Sequence, residues 1–109
     1  MAKGSAILEA IADPTRRAIV DALRRGPLTV SEIVQRVPVS QSAVSQHLKV
    51  LSELKIVAHE ARGTRRHYSL RPEALGELRA YVSDLWDDAL SAFAKEAKKT
   101  HSSTKRAQR

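Results

Sequence analysis

The sequence contains no cysteine. Disulfides, thiolate metal sites and thiol redox switches are excluded at once. Glycine is scarce, with four residues, and none of them builds a Gly-rich phosphate loop. Paired-carboxylate and metal-cluster motifs are missing too. Ser45 and His47 carry nucleophile and base chemistry, but two positions apart on one helix they point in different directions. Catalysis is therefore not expected. No apolar run is long enough to cross a bilayer, and no signal-peptide core opens the chain. The sequence predicts a cytoplasmic protein with no membrane partner.

What the chain does have is positive charge. The formal net charge is +7 over 109 residues, which suits one domain and suggests an anionic partner. The excess is uneven. Lys98, Lys99, Lys105, Arg106 and Arg109 fall within residues 98–109, where no acid occurs. Residues 1–97 hold 14 basic and 12 acidic side chains. The composition thus predicts a folded unit over 1–97 and a basic, disordered tail over 98–109. Such a tail touches phosphates or simply keeps the protein soluble, so net charge alone does not decide the partner. A chain of this size also buries more surface by dimerising.

The folded unit is organised around residues 39–54. Ser40 is an N-cap, and Val44, Leu48 and Leu51 form an apolar stripe widened by Ala43, His47, Val50 and Leu54. The other face carries Ser42, Ser45, Gln46 and Lys49, flanked by Ser52 and Glu53. A solvated face would favour Glu and Lys, which are better helix formers than Ser. Ser and Gln instead suit close approach to base edges and phosphates in a major groove. A serine-rich surface helix is the plain alternative.

The preceding chain supports the first reading. Ser5 to Ile11 is a short helical pattern, and Asp13-Pro14 caps and opens a second one running to about Arg25. Gly26-Pro27 stops it. Thr29 and Glu32 have the capping-box spacing, and Val30, Ile33, Val34 and Val37 continue the third helix. Only Pro38-Val39-Ser40 separates that helix from the next, as a helix-turn-helix requires. Arg16 and Arg17 reach phosphate or pair with Asp13 or Asp21. His47, toward the apolar side, is expected to be partly buried and hydrogen-bonded.

Residues 57–61 and 65–70 read as two strands around Arg62-Gly63-Thr64. Arg62, Arg65 and Arg66 at the tip resist edge aggregation, or act as a wing that clamps phosphates or enters a minor groove. His59 and His67 face each other across this hairpin only approximately, so no metal pair is predicted. The last helix runs from Arg71-Pro72 to about Lys98. Leu75, Leu78, Val82, Leu85 and Ala89 make one stripe; Trp86, Leu90 and Phe93 make a second. One stripe can cover the core, and the other requires a partner.

Four segments carry a resemblance: Asp13-Pro14-Thr15-Arg16-Arg17-Ala18-Ile19, Leu28-Thr29-Val30-Ser31-Glu32-Ile33, Ser40 through Leu51, and Gly63-Thr64-Arg65-Arg66-His67-Tyr68. Together, from about Ala6 to Phe93, the chain resembles the ArsR family of dimeric winged-helix repressors. The resemblance implies a mainly α fold of five helices with a two-stranded β-wing, a winged helix-turn-helix that dimerises through its first and last helices. It implies repression at a palindromic operator on double-stranded DNA, often the protein's own, and a place on the nucleoid when bound. The expected base and phosphate contacts are Ser40, Gln41, Ser42, Ser45, Gln46 and Lys49. Arg62, Thr64, Arg65 and Arg66 are the expected wing contacts. The homodimer seam is expected at Leu78, Val82, Leu85, Trp86, Ala89 and Phe93.

The chain departs from the family at both common metal sites. Thr29-Val30-Ser31-Glu32-Ile33 offers no thiolate where one site has a Cys-x-Cys. The last helix offers Asp84, Asp87 and Asp88 but no His before His101, and carboxylates alone hold zinc poorly. No metal and no cofactor are expected. The inducer, if any, is then a small molecule or a protein. The rival readings are a winged helix for protein contacts and a nonspecific DNA-packaging protein.

Overall fold

The computed structural model describes residues 4–108, with side chains through Lys98. Five α-helices and one small sheet alternate along the chain: α1 (Gly4–Ala12), α2 (Pro14–Ala22), β1 (Leu28–Thr29), α3 (Val30–Arg36), α4 (Gln41–Glu53), β2 (Val57–Arg62), β3 (Arg65–Leu70) and α5 (Pro72–Gln108). A 3₁₀ turn over Leu23–Arg25 closes α2, and Gly26 follows at φ 146°, a conformation that side chains rarely adopt.

The helix starts are fixed locally. The Asp13 carboxylate accepts the Arg16 N–H at 2.9 Å, with Pro14 in the first turn of α2. That bond is the main cause holding the Asp13 carboxyl below its ordinary range. At α3 the capping box is complete. Glu32 N–H donates to Thr29 Oγ1 at 3.2 Å, and Thr29 N–H donates to Glu32 Oε1 at 2.9 Å. At α4 the Ser40 hydroxyl accepts the Ala43 N–H at 3.1 Å.

The capping box sets one expected result. The Glu32 carboxyl lies below its ordinary 4.5, first through the Thr29 N–H and then through the Thr29 hydroxyl. A depressed carboxyl stabilises the fold above its unfolded value and loses that contribution as pH falls through the folded one. Glu32→Gln keeps an acceptor but cannot ionise, so it should flatten the acid limb of a urea-melt stability profile. Thr29→Ala should cost about 1 kcal/mol at neutral pH. A Glu32→Gln protein with an unchanged acid limb would remove the carboxylate from this role.

The core gathers Ile7 from α1, Ile19 from α2, Ile33 from α3, and Val44, Leu48 and Leu51 from α4, all within 1% of full burial. Ile56 and Val57 close it below the hairpin. Residue Lys55, at φ 59°, turns the chain between α4 and β2, and Ile56 N–H donates back to the Leu51 carbonyl at 2.9 Å.

Four features differ from the sequence reading. The two-stranded hairpin is present, but β1 joins it, giving an antiparallel sheet of order β1-β3-β2. Leu28 pairs with Tyr68 and Thr29 with His67, a long-range match no local signal carries. Arg16 does not pair with Asp21; its Nε donates to the Ala10 carbonyl at 2.8 Å and ties the end of α1 to α2. Asp21 pairs instead with Arg24 at 3.1 Å, both ends exposed. Finally, α5 continues helical to Gln108 rather than ending near Lys98, because nothing after Lys98 is Pro or Gly. The side chains of residues 99–109, including Lys105, Arg106 and Arg109, lie outside the described residues.

Only the first turns of α5 are covered. Gly4 packs against the Glu77 carbonyl and the Tyr81 Cβ so closely that a Cβ on Gly4 would overlap both. Ala74 is buried and Leu78 is half-buried against the core. From Arg79 through Lys98 every side chain is exposed. The first apolar stripe therefore does not cover the core beyond Leu78, and both stripes are open along most of the helix.

Candidate nucleic-acid interface

The buried stripe of α4 decides what its other face presents. With Val44, Leu48 and Leu51 locked inward, Ser40, Gln41, Ser42, Ser45, Gln46 and Lys49 are all exposed. Helical spacing puts Ser42, Ser45, Gln46 and Lys49 on one continuous surface of about two turns. Ser40 and Gln41 stand at its N-terminal end. His47 lies half-buried on the flank.

The hairpin stands beside this surface. Arg62 pairs with Arg65 in register around the Gly63-Thr64 turn, where Gly63 takes φ 63°. The wing residues Arg62, Thr64, Arg65 and Arg66 are all exposed. Arg62 lies 3.7 Å from Glu60, so part of its charge is shared on the outer face of β2.

Between α4 and the wing lies an open cleft of about 670 Å³. Ser45, Lys49 and Ser52 line it from α4, and Thr64, Arg65 and Arg66 from the wing. Thr29, Val30 and Ser31 at the start of α3 form one end; His59 and Tyr68 form the floor of the hairpin side. Its lining contains no aspartate or glutamate, only cations, hydroxyls, a histidine, a tyrosine and one valine. Such a surface attracts an anion and offers it hydrogen bonds.

The structure thus brings Ser45 and Lys49 together with Thr64, Arg65 and Arg66. It leaves Ser40, Gln41, Ser42, Gln46 and Arg62 outside the cleft, on the helix surface and the outer wing. Ser52, expected at the edge of the polar face of α4, joins the cleft, as do three residues outside the expected contacts, Ser31, His59 and Tyr68. Period-two alternation gives the signal for the last two, since His59 and Tyr68 share a sheet face once the turn is placed. The same register corrects the histidine pair: His59 stands opposite Tyr68, and His67 opposite Glu60, so the two histidines occupy opposite faces.

A helix-turn-helix followed by a basic hairpin, with the hairpin flanking the second helix, is a winged helix-turn-helix, a class of DNA-binding fold. The family model for bacterial regulatory proteins of the arsR family matches residues 13–59. The HTH-type transcriptional regulator Rv2034 of Mycobacterium tuberculosis is 49% identical over 86 residues, spanning 79% of this chain and 80% of that protein. A crystal structure of a possible transcriptional regulator for arsenical resistance is 41% identical, with a TM-score of 0.69, over 84% of this chain and 95% of that one. The homodimeric winged helix-turn-helix DNA-binding domain of Mb0332 from Mycobacterium bovis is 27% identical, with a TM-score of 0.60, over 79% of this chain and 80% of that one. This chain belongs to the ArsR family. It is a DNA-binding transcriptional regulator, not an enzyme.

Proposed function

We propose that the protein is a homodimeric, metal-independent repressor of an inverted-repeat operator, with residues 1–97 carrying both dimerisation and DNA binding. The acid-free surface that runs from α4 into the wing cleft carries this reading. Gln41, Ser42, Ser45 and Gln46 read base edges, where Gln makes a bidentate contact to adenine. Ser40, Lys49 and the wing arginines hold the backbone. The open apolar stripes of α5 supply the seam, and the similarity to the homodimeric Mb0332 domain supports a homodimer here. Two protomers about a two-fold axis place their α4 helices about 34–36 Å apart, in successive major grooves. Metal independence follows from the missing thiolates at Thr29–Ile33 and the missing His beside Asp84, Asp87 and Asp88.

Selection from random duplexes followed by footprinting tests the reading. Protection of one inverted repeat is expected, with equal affinity under chelator and added zinc. A reporter carrying the repeat in its promoter should be silenced by the protein. Gln46→Ala should cost about 1–3 kcal/mol on the selected duplex and little on a scrambled one. Uniform protection would indicate packaging instead, and no protection would indicate a protein-binding module. Zinc-driven release, lost in Asp84→Ala, would overturn metal independence.

A further inference from the structure

The cleft between α4 and the wing contains one histidine. His59 is exposed on β2 and lines the cleft. Its ring leans on Tyr68, with centroids 5.4 Å apart and planes tilted by 47°. The charged side chains that line the cleft with it are cationic: Lys49 from α4, Arg66 on the same sheet face as His59, and Arg65 at the tip of the wing, in register with Arg62 on the other face. From α3 the cleft is lined by Val30 and Ser31, and the Glu32 carboxylate, which is not in the lining, accepts from Thr29. On its own strand the neighbouring Glu60 points to the opposite face, toward Arg62.

No aspartate or glutamate among the described residues lines the cleft around His59. An anion brought within reach favours the charged form of an imidazole. A DNA phosphodiester in the cleft supplies the missing anion and stays charged over the whole range in which imidazole titrates. We propose that His59 is a DNA-backbone contact that works as the imidazolium, so that operator binding takes up protons, one per protomer, and tightens as pH falls. The inference rests on the DNA-binding reading above and assigns its pH regulation. The other described histidines lie elsewhere. His67 is on the opposite sheet face, its Nδ1 buried without a hydrogen-bond partner among the described residues. His47 sits on the core flank of α4.

The sign is fixed by linkage: the complex binds more protons than the free components, so affinity falls with rising pH. The test is a set of anisotropy titrations at constant ionic strength, from about pH 5.5 to about pH 8, the range over which imidazole changes charge. The probe is the duplex that the protein itself selects from a random library. Wild type should lose at least about tenfold in affinity across that range. His59→Gln should flatten the profile near the wild-type affinity of the high-pH end. His67→Gln should keep the full slope. Calorimetry in two buffers of different ionisation enthalpy should show proton uptake by wild type at mid-range pH that His59→Gln lacks. A flat wild-type profile, or a slope that survives in His59→Gln, overturns the inference. If in that case Lys49→Ala and Arg66→Ala still weaken binding, the DNA-binding reading stands alone. Failure to select any duplex overturns both.

Discussion

Leu85→Glu should give a folded monomer that has lost its operator. Leu85 is 55% exposed in the single chain, and Val82, Trp86 and Phe93 are 48%, 63% and 71% exposed. A substitution on so open a surface changes the stability of the protomer by less than about 0.5 kcal/mol. In a dry seam between two copies, the same carboxylate loses its water without gaining a partner, at several kcal/mol per ion. The fold survives while the assembly does not. A monomer then engages one half-site, and the loss of linkage between two half-sites lowers operator affinity by about 10²–10⁴-fold. Sedimentation and anisotropy on the same sample check both parts. The thermal midpoint should drop only to the value wild type reaches on dilution, since dimerisation stabilises by mass action. A Leu85→Glu protein that remains dimeric and bound would place the seam elsewhere on the molecule.

The second large effect is expected from the inward face of the recognition helix. Leu51 is fully buried and its backbone carbonyl accepts the Ile56 N–H that folds β2 back beneath α4. Leu51→Ala removes buried atoms from the cluster that α1, α2, α3 and β2 share, and should cost about 2–5 kcal/mol. Domains of this size have only about 5–15 kcal/mol in all. The urea midpoint should therefore fall sharply with little change in slope. Gln46→Ala, one turn away on the outer face, should leave the midpoint within about 0.5 kcal/mol. The pair separates holding the helix from reading with it. A Leu51→Ala loss below about 1 kcal/mol would mean that the site collapses around the deletion.

These two faces of α4 could be read from residue order, and so could the starts of α2, α3 and α4. Asp13, Thr29 and Ser40 each satisfy a backbone N–H three residues on, a bond whose partners are adjacent in the chain. The apolar spacing of Val44, Leu48 and Leu51 needs only the helical period to define an inside. The hairpin was visible for the same reason, since its turn lies between its strands.

What the order of residues could not decide are the matches between distant segments. Leu28-Thr29 has strand character only because β3 offers it an edge, with Tyr68 and His67 as partners. The registry of β2 on β3, fixed by the turn at Gly63, sends His59 to the cleft and His67 to the other face; a shift of one residue would exchange them. Arg16 had several anions within sequence reach, yet packing of α1 against α2 gives it the Ala10 carbonyl. The helix α5 spells two apolar stripes alike, and the packing of α1 on its first turns leaves both of them open beyond Leu78. Capping and periodicity act within a few residues and are written in the chain itself. Strand register, cleft lining and helix coverage depend on which surfaces meet, and that is settled when the core closes.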